Sequence, residues 1–190
     1  MDLNDTRGLI FEATSNLISR EGVPNFTLEA VAREAGVSKG GLLYHFASKR
    51  KLIEGLIESQ LDLFESQIET EYKSQPPGPG RWLRAYIKTS EKVPRKPGYS
   101  TGLIAILATE PDLFETLRAR YSRWQEHLDQ DGLDPAIATL ARMAMDGLRF
   151  WRIIGLAPVA ENQERAIAFL LDLIEAKSLE AELMGEHTYE

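Results

Sequence analysis

Residues 27–49, Thr-Leu-Glu-Ala-Val-Ala-Arg-Glu-Ala-Gly-Val-Ser-Lys-Gly-Gly-Leu-Leu-Tyr-His-Phe-Ala-Ser-Lys, constrain this chain more than any other stretch. Thr27 can cap a helix, because its hydroxyl accepts from an otherwise unpaired backbone N–H one turn on. Val31, Ala32 and Ala35 give that helix a small apolar face at helical spacing. Gly36 is placed to end it in the left-handed conformation that glycine adopts without steric penalty. Val37 plugs the turn, and Ser38 can cap a second helix over Lys39 to His45. Leu42 and Phe46, four apart, anchor that helix to a core. Two helices joined by a short glycine-containing turn form a helix-turn-helix unit. The arrangement leaves the second helix free to enter a major groove.

Around this unit the pattern is helical throughout. A first helix can start at Asn4 or Asp5 and run to about Arg20, with Leu9, Ile10, Ala13, Leu17 and Ile18 on one face and Gly22 as its stop. Ser48 can cap a long helix from Lys49 to about Tyr72, whose apolar stripe is Leu52, Ile53, Leu56, Ile57, Leu61, Phe64 and Ile68. Residues 74–80, Ser-Gln-Pro-Pro-Gly-Pro-Gly, cannot continue a helix and read as a linker. Helices are then predicted over Arg81–Val93, Ser100–Thr109, Asp112–Asp129, Pro135 to about Leu156 (capped by Asp134), and Glu161–Lys177, with an acidic disordered tail from Ser178. The expected fold is all-α, about nine helices: an N-terminal helix-turn-helix domain over 1–47 and a helical ligand-binding and dimerisation domain over 48–190.

Charge sharpens the division. Residues 1–55 carry seven basic and seven acidic side chains, so the net charge of −7 belongs to the remainder. Within 33–51, Arg33, Lys39, Lys49, Arg50 and Lys51 face only Glu34. A local basic face on an acidic body suits contact with DNA in one orientation. There is no cysteine, which excludes disulfides and cysteine-ligated metal. The three histidines, His45, His127 and His187, are too far apart in sequence to suggest a metal site. No nucleophile elbow or strand-borne phosphate loop is present, so neither catalysis nor a cofactor is expected. No signal pattern or membrane-length apolar run is found, and a cytoplasmic location with no membrane contact is the expectation.

The pattern Phe26-Thr27, Val31-Ala32, Ala35 to Ser38, Lys39 to Phe46 and Ser48-Lys49 resembles the N-terminal domain of TetR/AcrR-type transcriptional regulators. The likeness covers about the first 60 residues; the rest follows the family in layout only. The resemblance implies a homodimeric, ligand-responsive repressor on a roughly palindromic double-stranded DNA operator. It places Thr27, Tyr44, His45 and Lys49 on phosphates, which set register without reading sequence. It places Ser38, Lys39, Gly40, Gly41 and Leu43 near base edges, Lys39 as a donor to guanine. Gly41 stands where a base-reading side chain is often found in the family, and Leu43 replaces a frequent aromatic. Glu29 stands where some members have a basic base reader, and its carboxylate also suits the first turn of a helix.

Two further expectations concern the C-terminal part. The last two helices are apolar on nearly every face, as in Ile137 to Ile154 and Ala166 to Ile174, so a second copy of the pair is the natural cover. An entirely intramolecular core is the alternative. Trp82, Tyr86, Leu103, Ile106, Tyr121, Trp124, Arg149 and Phe150, with Tyr99, Leu107 and Trp151, gather in the helices that would enclose a pocket for a small apolar or aromatic effector. Asp146, His127 and Thr101 are candidate polar contacts. Each residue taken singly also fits a plain core position. A DNA-anchored interaction protein of the same fold, without an inducer, is the competing function.

Overall fold

Caps and glycines punctuate the chain as their chemistry requires. The computed structural model describes residues 3–22, 24–92 and 113–186. Among these are eight α-helices and no strand. They are α1 (Leu3–Glu21), α2 (Leu28–Glu34), α3 (Lys39–His45), α4 (Lys49–Ser74), α5 (Arg81–Lys92), α6 (Leu113–Asp129), α7 (Pro135–Ile154) and α8 (Ala160–Glu186). The helix predicted over Ser100–Thr109 lies outside the described residues, as do Leu103 and Ile106 and also Tyr99, Thr101 and Leu107.

The described residues fall into two compact units: 3–62 with 113–117, and 63–92 with 118–186. Packing thus parts the chain within α4, later than the sequence-based boundary at residue 48. The physical reason is the first half of α4. Leu52, Ile53, Leu56, Ile57 and Leu61 are all buried, so a three-helix unit too small to bury a core alone acquires a fourth wall.

In the first unit, Thr27 Oγ1 accepts from the Ala30 N–H at 3.1 Å and opens α2. α2 closes on Gly36 at φ +68°, with the Val37 N–H donating to the Ala32 carbonyl and the Gly36 N–H to that of Arg33. This paired closure satisfies carbonyls that the helix end leaves open. Ile10, Leu17, Phe26, Val31, Leu42, Phe46 and Leu52 form the core. Phe11 and Phe46 meet at 5.2 Å between ring centroids. A Cβ on Gly55 would stand 2.9 Å from the Phe46 ring, so the glycine in α4 is what admits that ring.

The second unit has a helix start built across the sequence. Both carboxylate oxygens of Asp131 accept from the N–H groups of Trp82 and Leu83, each at 2.8 Å, and so cap α5. Burial pushes the Asp131 carboxyl up, while these two backbone donors pull it back down. Arg84 is buried and donates to the Pro79 carbonyl and to Ser178 Oγ at 3.0 and 3.1 Å. This binds the 75–80 connector to α8. The tail predicted from Ser178 is therefore corrected: Ser178 is buried, its hydroxyl donates to the Pro79 carbonyl at 2.7 Å, and α8 runs to Glu186. Residues 179–184, Leu-Glu-Ala-Glu-Leu-Met, are strong helix formers, and α8 continues once its start is docked.

Candidate functional site

Ser38 opens α3 by accepting from the Gly41 N–H at 3.0 Å. Leu42 and Phe46, 0% and 4% exposed, hold the short helix down. Its other side chains are left outward. Leu43 is 38% and Tyr44 79% exposed, Ser38, Lys39 and Gly40 are exposed, and Gly41 and His45 are half-buried. Tyr44 meets His45 edge-on at 5.4 Å. A seven-residue helix with two glycines near its start is intrinsically weak, each glycine costing about 1 kcal/mol relative to alanine. The two glycines differ. A Cβ on Gly40 would meet nothing within 4 Å, whereas one on Gly41 would press on the Ser38 cap at 3.2 Å. Gly41 thus belongs to the cap, which accounts for the missing side chain at that position.

The basic residues are less free than their spacing suggested. Lys39 Nζ is paired with Glu29 Oε1, and this partner draws the Glu29 carboxyl below its ordinary value. Both side chains are more than half exposed, so the pair is weak and salt-screened. Lys51 and Arg50 pair with Glu54 at 2.6 and 3.0 Å. Arg20 grips Glu34 through two hydrogen bonds of 3.0 and 2.6 Å. Counting these partners, six basic side chains (Arg20, Arg33, Lys39, Lys49, Arg50, Lys51) stand against three acidic ones (Glu29, Glu34, Glu54). The local excess is +3, smaller than the 33–51 window alone implies.

Lys49 departs furthest from a free surface cation. Its ammonium donates to the Phe26 carbonyl at 2.8 Å and the Pro24 carbonyl at 3.3 Å, and lies 4.1 Å above the Phe26 ring. Burial lowers its pKa. An ammonium has three donors, so one remains for an outside acceptor. Lys49 therefore secures the turn before α2 as well as the start of α4.

The second candidate region lies wholly in the second unit. Trp82 stacks on Tyr86 at 5.6 Å and on His127 at 5.3 Å. Trp124 stands 4.8 Å from Tyr121 and 5.3 Å from Phe64, whose ring meets Tyr86 edge-on at 5.7 Å. The Tyr86 hydroxyl donates to Asp146 Oδ1 at 2.5 Å, and that of Tyr121 reaches the same oxygen at 3.4 Å. Burial pushes the Tyr121 phenol up to about 12 and Tyr86 well above its usual range. Both phenols therefore stay protonated and donate at neutral pH. Arg149 lies 4.5 Å over the Phe64 ring.

The structure thus assembles Trp82, Tyr86, Tyr121, Trp124 and Arg149 around Asp146. Phe150 does not join them: at 46% exposed it lies on the outer face of α7 beside Trp151 at 48%. On a helix, consecutive positions diverge by about 100°, which is why Arg149 and Phe150 face differently. Sequence reasoning missed Phe64 and Glu65 as members. Glu65 accepts from Trp124 Nε1 at 3.0 Å and is bridged by Arg120 and by Arg123. A carboxylate next to the apolar stripe of α4 was its only visible signal. Among the described residues no cluster of His, Cys, Asp or Glu could hold a metal, and no helix is long and apolar enough to cross a membrane.

An exposed second helix on a helix-turn-helix core, followed by a separate all-helical unit, defines the class of helix-turn-helix transcriptional regulators. The chain belongs to the TetR family: the family model described as bacterial regulatory proteins, tetR family, matches residues 10–56, and that described as tetracyclin repressor-like, C-terminal domain, matches residues 80–175. Its members are transcriptional regulators rather than enzymes. The HTH-type transcriptional regulator TtgW of Pseudomonas putida is 32% identical over 59 residues, 31% of this chain and 44% of that protein, so the chain matches less than half of it. SCO4454, a TetR-family transcriptional regulator from Streptomyces coelicolor, has a similar fold (TM-score 0.72, 18% identity, 92% of this chain and 97% of that one). So does a transcriptional regulator from Saccharomonospora viridis solved in complex with choline (TM-score 0.65, 19% identity, 90% and 96%).

Proposed function

We propose that this protein is a homodimeric repressor that binds a palindromic DNA operator through α3 and releases it when a small apolar or aromatic effector enters the second unit. The exposure pattern of α3 is the observation that carries the reading. Two buried side chains fix the helix, and Lys39, Gly40, Leu43 and Tyr44 are left for a partner to cover. Lys39 would exchange Glu29 for guanine O6 and N7, and Leu43 would meet a thymine methyl. Gly40 and Gly41 allow the backbone close to the bases. Thr27, Tyr44, His45 and the third donor of Lys49 would hold phosphates.

Dimerisation through α7 and α8 is supported by apolar surface that the single chain leaves open. Leu140, Met143, Phe150 and Trp151 share one face of α7; Phe169, Leu173, Leu179 and Leu183 share one face of α8. Phe169 is 71% and Leu140 67% exposed. Surface of this kind marks an interaction site, and a two-fold pairing of the two helices covers it with itself. Two recognition helices would then enter major grooves about 34–36 Å apart. An effector acts only through a difference in affinity between the operator-competent state and another. α4 carries residues of both units and is the covalent route for such a change.

Footprinting and gel-shift titration on DNA flanking its own gene test the proposal. A protected palindrome, with affinity falling steeply as salt rises, is expected. Binding without sequence preference, or by a monomer, would overturn it. Dozens of dispersed genomic sites with no effector response would favour the interaction-protein reading.

A further inference from the structure

The charge balance inside the aromatic cluster points to the class of effector. Arg142 and Arg149 lie on α7 one turn to either side of Asp146. Asp146 is taken by tyrosine hydroxyls, and Glu65 is taken by Trp124, Arg120 and Arg123. Neither carboxylate forms an ion pair with Arg142 or Arg149. Arg142 reaches the Tyr121 carbonyl at 3.5 Å and stands 5.7 Å over the Tyr121 ring, yet its Nε is buried without a partner. Arg149 rests on Phe64, and its Nη1 is likewise buried without a partner. Buried donors are ordinarily satisfied, and a charged one left open is the costliest kind. Among the described residues, two guanidinium groups with one carboxylate between them leave this region positive.

The rings decide the rest. Tyr86, Trp124 and Phe64 are buried in ring-on-ring packing, while Trp82 and Tyr121 stay half-buried and leave an aromatic edge, the surroundings a planar ligand body seeks. A ring-lined site with a carboxylate can also receive a cation, but here two guanidiniums already occupy the faces of Phe64 and Tyr121. A further cation would be repelled. An anion would be paired by donors that now have none.

We infer that the effector is a flat aromatic acid whose carboxylate is held by Arg149, with Arg142 completing the positive field, and whose ring lies against the half-buried Tyr121 at the edge of the aromatic cluster. This rests on the proposal that the second unit is the effector site. Recognition of a carboxylate by the planar, forked guanidinium also explains why arginine rather than lysine stands at both positions.

The test uses the full chain, arenecarboxylates of one to three rings, the primary amide of each, and choline as the cation. Binding is read from tryptophan fluorescence, since Trp82 and Trp124 lie in the cluster, and from the shift in melting temperature. At least one acid should bind tenfold or more tightly than its amide. Arg149→Gln should reduce that acid to the level of its amide; Arg149→Lys should restore part of the preference. Arg142→Gln should weaken the acid less. Because Arg149 also rests on Phe64 and supports the Asp146 carboxylate, its removal should lower the melting temperature of the ligand-free protein; the lost preference for acid over amide is the readout that a merely structural arginine would not move. Equal binding of acid and amide, preference for choline, or no binding by any acid would overturn the inference. If no acid binds while the dimer still protects its operator, the effector class falls and the repressor stands. If an acid binds but leaves the operator complex intact, the acid site stands and release by that ligand falls.

Discussion

Replacing Tyr86 with phenylalanine removes one oxygen atom from a fully buried position and leaves the ring contacts with Trp82, Phe64 and Trp124 in place. No cavity term therefore enters. What is lost is a hydrogen bond of 2.5 Å to Asp146 Oδ1, whose other hydroxyl donor among the described residues, that of Tyr121, stands 3.4 Å away. Hydrogen bonds to a charged group contribute about 1.5–3 kcal/mol. For a chain of this length about 1 kcal/mol corresponds to about 2–4 °C, so Tyr86→Phe should melt about 3–12 °C below wild type at neutral pH. The pH dependence adds a second constraint. Burial holds the Asp146 carboxyl above its ordinary value, and the Tyr86 hydroxyl works against that rise. A carboxyl raised in the folded state stabilises the fold at acid pH and loses that contribution as pH rises through its folded value. Without Tyr86 the folded value rises further, so the deficit of the variant should be largest at pH 7.5 and shrink in acid, as pH falls through the folded values. Circular-dichroism melts at one protein concentration measure both. A loss below about 1 °C, or the same loss at pH 7.5 and in acid, would show that this hydroxyl does not serve an ionised Asp146.

Three other variants examine the remaining parts. Gly36→Ala forces a side chain into φ +68° with no steric contact, so the backbone term alone acts, about 1–2 kcal/mol, and chemical denaturation should show it with no change of slope. Lys49→Ala should destabilise the first unit, because two carbonyls lose their donor, and also weaken operator binding evenly across sequences with a flatter salt slope; altered sequence preference in a selection assay would contradict a phosphate role. Phe169→Glu would place two charges across the proposed two-fold interface of α7 and α8, and sedimentation should show monomers whose helical content is unchanged; an intact dimer would move the interface elsewhere.

Much of this protein is local, and local features are legible. Thr27, Ser38 and Asp134 each cap the helix that follows within three residues, and Gly22, Gly36 and Gly155 take the positive φ that closes a helix. Apolar spacing along α1 and α4 reproduces their buried faces. These depend on backbone chemistry within a turn or two, which the order of residues determines directly. The chain-distant partners are another matter. Lys39 meets Glu29 across 10 residues, Lys49 meets the Phe26 carbonyl across 23, Asp131 caps α5 across 49, and Tyr86 finds Asp146 across 60. Each pairing follows from how helices pack, and packing depends on shape summed over the whole core rather than on any local pattern. So the order of residues alone determined a helix-turn-helix with an outward second helix. Only the tertiary structure decided that its basic residues are largely engaged, that Phe150 faces outward, and that one nitrogen each of Arg142 and Arg149 is buried without a hydrogen bond.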